Sequence, residues 1–224
     1  GTDGVLIGGW AFSSIPSDFA GKAIDVGCGT GVIALMLAQR FKNMNIEGIE
    51  IMRDAAEEAS YNFTCSPWAS RLAVCNSDYM SYIAREKNSG INFIISNPPY
   101  FSNGALAQDF ARRVARHEGN LHFKMLIETG KNMLADNGRL ALILPSESID
   151  EIMAESKKGE LSIDRICRVS SVPGRPTKRV MVEFVKASDR ENETYEEESL
   201  TIHSVSGDFS PEYRKLLADF YLKF

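Results

Sequence analysis

Apolar positions along this chain come in short runs, each followed by a stretch with helical spacing. "KAIDVGC" (22–28) has the run length of a buried strand, and "GTGVIALMLAQRF" (29–41) then reads as a helix. The alternation repeats with "MNIEGIEI" (44–51) and the helix "RDAAEEASYNF" (53–63), and again with "RLAVCNSD" (71–78) and a polar helix to about Lys87. "INFIISN" (91–97) is a fourth strand. "NLHFKMLIETGKNMLA" (120–135) places Leu121, Met125, Leu126, Met133 and Leu134 on roughly one helical face. Asn137-Gly138 is expected to stop that helix before the fifth strand, "RLALILP" (139–145). Strands alternating with helices predict an α/β fold with a mostly parallel sheet covered on both faces.

The rhythm changes after about Ser156. "LSIDRICRVSS" (161–171), "KRVMVEFVKA" (178–187) and "SLTIHSV" (199–205) read as three strands with little helix between them. The sheet is therefore expected to end in antiparallel strands. "PEYRKLLADFYLKF" (211–224) gathers Tyr213, Leu216, Leu217, Phe220 and Tyr221 near one helical face, which predicts docking onto the core. No repeat or linker interrupts the pattern, so 1–224 is expected to form one domain.

Composition narrows the class. With 224 residues, 44% of them hydrophobic, the chain can bury one sizeable core. No run of about 18 apolar residues occurs, which argues against a membrane span. Cys28, Cys65, Cys75 and Cys167 lack metal-ligand spacing. They read as reduced thiols of a cytoplasmic protein, Cys167 as a core residue. The chain begins at Gly1 rather than Met, so residues upstream are expected to be missing. Net charge is −5, and the stretch "ASDRENETYEEES" (187–199) carries all of that excess. It reads as a solvated loop between two strands, leaving the rest of the chain formally neutral. A monomer is the default expectation.

The first candidate chemistry is the loop "DVGCGTG" (25–31). Gly27, Gly29 and Gly31 permit backbone conformations and close approaches that a Cβ would block. The helix that follows offers free N–H groups to an anion. The spacing is G-x-G-x-G rather than the dinucleotide fingerprint G-x-G-x-x-G, and it follows an acid, Asp25. It resembles motif I of S-adenosylmethionine-dependent methyltransferases. Glu50, ending the second strand, is placed to accept from two ribose hydroxyls, although a dehydrogenase would put an acid there too. Asp78, after the third strand, could accept from an adenine amino group or simply cap the next helix.

The second is "NPPY" (97–100), at the end of the fourth strand and 70 residues after the loop. Ligands of open parallel sheets bind at the carboxyl ends of strands near the switch point, where strands one and four would be neighbours. Asn97 and Gly29 are thus expected to face one cleft. The pair of motifs resembles the amino-methyltransferases. In that reading the side-chain oxygen of Asn97 and the main-chain oxygen of Pro98 accept from an exocyclic NH₂. They aim its lone pair at the methyl donor. Pro98 and Pro99 stiffen the turn, and Tyr100 stacks on the target ring, with Phe101 adding to the wall. Transfer needs positioning, with no metal and no covalent enzyme intermediate.

Families sharing these motifs methylate adenine N6, guanine N2 or the glutamine N5 of peptide release factors. "GTDGVLIGGWA" (1–11), "ARHEGNLHFKMLIETGKNML" (115–134), "ICRVSSVPGRPTKRVMVEF" (166–184) and "SPEYRKLLADFYLKF" (210–224) together resemble the bacterial tRNA (adenine-N6)-methyltransferases acting on valine tRNA. The resemblance spans essentially the whole chain. It implies a Rossmann-like class I methyltransferase fold with a seven-stranded, mostly parallel sheet. It also implies S-adenosyl-L-methionine as cofactor, and as target the N6 amine of the adenosine 3′ of the anticodon. Asn97, Pro98, Pro99 and Tyr100 would then form the target-base motif. Thr2, Asp3, Asp25, Gly27, Gly29, Glu50, Asp78 and Asn97 would contact the cofactor.

An RNA partner calls for local positive charge. Arg112, Arg113, Arg116 and His117 follow the target-base loop, and Arg165, Arg168, Arg175, Lys178 and Arg179 cluster around "SVPGRPTKR". Each is a candidate phosphate contact, with ordinary solvated surface as the plain alternative. His122 reads as a helix-face residue.

Overall fold

The computed structural model describes residues 1–86, 90–99, 122–158, 161–186 and 194–223. Its frame is one sheet built from β1 (Ala20–Val26), β2 (Asn43–Glu50), β3 (Leu72–Asn76), β4 (Ile91–Ser96), β5 (Leu134–Pro145), β6 (Leu161–Ser170), β7 (Arg179–Lys186) and β8 (Glu196–Thr201). The strand order is β3-β2-β1-β4-β5-β7-β6-β8. The first five strands run parallel as expected, and β1 is flanked by β2 and β4, so the direction of winding reverses there.

The sheet has eight strands among the described residues, not the seven implied by the resemblance. The antiparallel pairing expected at this end is present, but through one reversed strand. β7 is antiparallel to both β5 and β6, and β8 pairs with β6 in parallel, so β7 alone runs against the rest. The additional strand, β8, contains Glu196, Glu197 and Glu198 from the acidic stretch. Part of that stretch is therefore a sheet edge rather than a loop. Its carboxylates meet arginines of the neighbouring strand: Glu198 binds Arg165 at 2.9 Å, and Glu197 binds Arg168.

The helices are α1 (Thr2–Trp10), α2 (Val32–Arg40), α3 (Arg53–Thr64), α4 (Tyr79–Arg85), α5 (Phe123–Met133), α6 (Ile149–Lys158) and α7 (Pro211–Leu217). Two apolar layers sandwich the sheet. Leu6, Ile7, Phe12, Leu37, Phe41 and Phe93 belong to one, and Ile24, Ile94, Leu126, Leu142, Ile152 and Phe184 to the other. Cys167 is buried in the core as its sequence context predicts. No described helix is long and apolar enough to cross a membrane.

Two boundaries differ from expectation. α5 ends at Met133, and β5 starts immediately at Leu134. Asn137, at φ 60°, does not stop the helix. It lies where the β4–β5 register jumps between Ile91↔Leu134 and Phe93↔Arg139. His122 caps α5 instead of lying on its face, its Nδ1 accepting from the Lys124 N–H at 3.3 Å.

α1 and α6 carry no expectation from the pattern. α1 is apolar around its circumference and holds Gly4, Gly8 and Gly9, poor helix formers on their own. Packing explains it: a Cβ at Gly8 would sit 2.7 Å from the Met36 sulfur of α2, and one at Gly9 2.5 Å from Leu217 Cδ2 of α7. Arg40 then takes up orphan carbonyls at the end of α1, donating to Gly8, Gly9 and Ala11. Tyr213 and Leu217 are buried, so α7 docks on the core as expected, though it is shorter than the sequence pattern.

Candidate active site

β1 ends at Val26, and three glycines at alternate positions turn the chain into α2. Gly27, Gly29 and Gly31 have φ of 72°, 54° and 84°, the left-handed region where a side chain is strained. The loop is tied to the end of β2, since the N–H groups of Gly27 and Cys28 both donate to the Ile49 carbonyl, at 2.8 and 3.1 Å. No atom of the described residues lies within 4 Å of where a Gly29 Cβ would be, so among them the loop faces open space at its centre.

Glu50 organises the floor of that space. One carboxylate oxygen accepts from the Gly29 N–H at 2.9 Å and the other from the Met52 N–H at 2.8 Å. Each oxygen retains a lone pair, so the side chain can still accept from two hydroxyl groups of a ligand. The Glu50 carbonyl accepts from the Ser77 N–H and from Asn76 Nδ2, which holds the end of β3 beside it.

Asp25 lies beneath the loop and is fully buried. Its Oδ2 accepts from the Ala34 N–H at 3.1 Å, and its Oδ1 has no partner among the described residues. Burial pushes its pKa from 3.8 to about 7, with the Glu50 charge adding to the rise and the Ala34 bond opposing it. Cys28, also buried, has its thiol pKa pushed up by the same desolvation and by Asp25 and Glu50, so it stays protonated.

The end of β4 reaches the same place. Val26 and Ser96 are register partners, and Ser96 Oγ donates to the Val26 carbonyl at 2.7 Å. Gly27 and Asn97 therefore leave adjacent strands side by side, as expected for one cleft. Pro98 is buried, while Asn97 and Pro99 are partly exposed. Tyr100 and Phe101 lie outside the described residues, as do Arg112, Arg113, Arg116 and His117.

The remaining candidates divide. Asp78 caps α4, its Oδ1 accepting from the Ser81 N–H at 2.9 Å, and the Ser81 hydroxyl together with that N–H holds its carboxyl below the ordinary value. Thr2 and Asp3 begin α1, whose Gly4 lies against Val32 and Ile33 at the start of α2. Asp3 is engaged with Arg179 at 2.8 Å. Of the basic cluster, only Arg175 and Lys178 are exposed. Arg165 is not a surface cation: it is 9% exposed, paired with Glu198 and Glu183, and lies 4.5 Å over the Trp10 ring. Arg168 has its partner in Glu197, and Arg179 in Asp3. Glu198 and Glu197, which pair with Arg165 and Arg168, come from the segment expected to be a solvated loop, which is why local sequence gave no warning. His203 also went unremarked in the sequence, as a lone histidine in a strand-like run.

Comparison with known proteins agrees with this geometry. A family model described as "Methyltransferase small domain" matches residues 11–156. A protein of Porphyromonas gingivalis is 36% identical over 223 residues, covering 99% of this chain and 88% of its own length. One from Bacteroides fragilis is 35% identical over 223 residues, covering 100% of this chain and 90% of its own. Both are named tRNA1(Val) (adenine(37)-N6)-methyltransferase. Among solved structures, an Agrobacterium tumefaciens protein described as a "predicted O-methyltransferase" superposes with a TM-score of 0.68 at 22% identity, covering 96% of this chain and 94% of that one. A type I restriction-modification methyltransferase subunit from Streptococcus thermophilus gives 0.62 at 16%, over 96% of this chain and 50% of that one. Those two likenesses bear on the fold. A family match over more than half the residues, with relatives above one-third identity along nearly the full length, makes this chain a member of the methyltransferase small domain family, in the group named tRNA1(Val) (adenine(37)-N6)-methyltransferase.

Proposed function

We propose that this chain, working as a single domain and a cytoplasmic monomer, methylates the N6 amine of an adenosine in tRNA, the one 3′ of the anticodon in valine tRNA. The cofactor in this reading is S-adenosyl-L-methionine, which supplies a methyl group activated by its sulfonium. The residues fit such a ligand. Open space above Gly29 admits it, Gly27 and Gly29 present backbone, and the spare lone pairs of Glu50 suit ribose hydroxyls. Asp25 contributes from below by holding the start of α2. In this reading Asp78, after β3, takes the adenine amino group, and Thr2 and Asp3 close the methionine end from α1.

Asn97 and the Pro98 carbonyl accept the two hydrogens of the target amine, which localises its lone pair towards the donor side of the cleft. Tyr100 stacks on the extruded base, a contact worth about 1–3 kcal/mol. The observation that carries the proposal is the register Val26↔Ser96, which puts the glycine loop and the Asn97-Pro98-Pro99 turn at one level of the sheet. The relatives' name favours RNA over the glutamine of a release factor, which the same turn could hold.

Incubation with methyl-labelled cofactor and either unmodified tRNA or release factor tests the reading. Label should enter tRNA as N6-methyladenosine. Label in the release factor, or in neither, would overturn it.

A further inference from the structure

A second cavity opens on the same end of the sheet as the glycine loop, but beyond β5. It encloses about 410 Å³, within the range of small-ligand pockets. Its walls come from the ends of β6 and β8, the start of β7 and the first turn of α1, with Thr2, Asp3, Ser171, Lys178, Arg179 and His203 in its polar lining. Through Thr2 and Asp3 it borders the methionine end of the proposed cofactor site. Strand order places it three steps from β4, roughly 14 Å at about 4.8 Å per step.

Two observations show what it suits. His203 ends a stack of three rings: it lies 18° from the plane of Phe209 at 5.1 Å, and Phe209 stacks on Tyr213 at 4.8 Å. Its Nδ1 is buried with no hydrogen-bond partner among the described residues, a state that native structures seldom leave unsatisfied. At the rim, Lys178 is exposed, whereas Arg179 shares its charge with Asp3. An imidazole at the end of a ring stack in the cavity wall, with an exposed cation at the rim, matches a planar base with its phosphate.

We propose that this cavity holds a second nucleotide of the RNA substrate, not the methylated one, with its base against His203 and its phosphate at Lys178. The inference rests on the RNA reading above. It makes the cavity a positioning site for the strand whose target adenosine enters at Asn97.

The test is binding and steady-state methylation of unmodified tRNA by His203→Ala, His203→Phe and Lys178→Gln, with cofactor affinity measured on the same preparations by calorimetry. His203→Ala should weaken tRNA binding about fivefold or more and raise the KM for tRNA in parallel, with cofactor affinity unchanged. His203→Phe, which keeps a ring face, should recover part of that loss. Lys178→Gln should lower the slope of log affinity against log salt by about 0.7–0.9, as for one lost phosphate contact. Wild-type tRNA affinity and salt slope in the His203→Ala and Lys178→Gln variants would overturn the proposal. So would a parallel loss of cofactor affinity, which would assign the cavity to the cofactor. Failure of the wild-type protein to bind or methylate tRNA would instead sink the RNA reading, and this site with it.

Discussion

Glu50 and Asp25 sit one behind the other below the glycine loop, and their environments give them different work. Glu50 has both oxygens on backbone N–H groups, so in the proposed reading it is the acceptor that shapes the cofactor side. Glu50→Ala should weaken S-adenosylmethionine binding roughly 10- to 100-fold, since bonds to a charged group are worth about 1.5–3 kcal/mol. Unchanged affinity by calorimetry would remove Glu50 from the site. Asp25 is costly to ionise. Between about pH 4 and 7 the folded chain holds a proton that the unfolded chain has released, so stability falls as pH rises through that window and levels off above about 7. On the plateau the cost is on the order of 4 kcal/mol. In Asp25→Asn this dependence should vanish: the melting-temperature difference from wild type should grow from pH 5 to 7.5 in the variant's favour. A difference independent of pH would show that Asp25 does not titrate there. On the proposed reading, Asn97→Ala should abolish transfer while leaving cofactor binding within about twofold of wild type, because Asn97 is one of several cofactor contacts but its grip on the amine has no substitute. Loss of both would reverse the assigned roles. These residues were legible because backbone chemistry limits what can stand at a strand end: alternate glycines, a terminal acid, an Asn before two prolines. Arg165 was not, because its partners, the buried Glu183 and the partly exposed Glu198, come from distant segments.

Among the elements, the first five strands were legible from run length, and the junction at Gly31 explains why the loop is so constrained. Gly31 combines φ 84° with a Cα that faces the Phe63 ring, which a Cβ would overlap. Gly31→Ala should lower the melting temperature by roughly 2–12 °C, from about 1–3 kcal/mol of backbone strain and clash. A thermal melt indistinguishable from wild type would mean the loop relaxes freely. α1 escaped notice for a related reason. Its glycines lower helix propensity, and only contact with Met36 and Leu217 makes them useful. The Asn137-Gly138 pair misled because a turn signal also serves a register jump inside a strand.

Across the whole molecule, a buried ionic network fastens the sheet's later strands together. Glu183 of β7, with no exposed side-chain surface, meets Arg139 of β5 and Arg165 of β6, and it also accepts from the Phe12 N–H at 2.9 Å. Without Arg165, Glu183 keeps Arg139 but loses its second cation, and the Glu198 pair and the packing over Trp10 go too. Arg165→Ala should therefore cost about 3 kcal/mol in urea unfolding. Arg168→Ala, which breaks a largely solvated pair with Glu197, should cost less than about 1 kcal/mol. Equal midpoints for the two variants would refute the distinction. The single reversed strand has one more outcome. Because β7 runs back from the ligand end, residues 171–178 form a hairpin connection there instead of a crossover behind the sheet. Such a link can be exchanged or lengthened without breaking the β1–β4 register. On the proposed reading, the choice of RNA can therefore be altered at this corner while the donor side of the cleft keeps its residues.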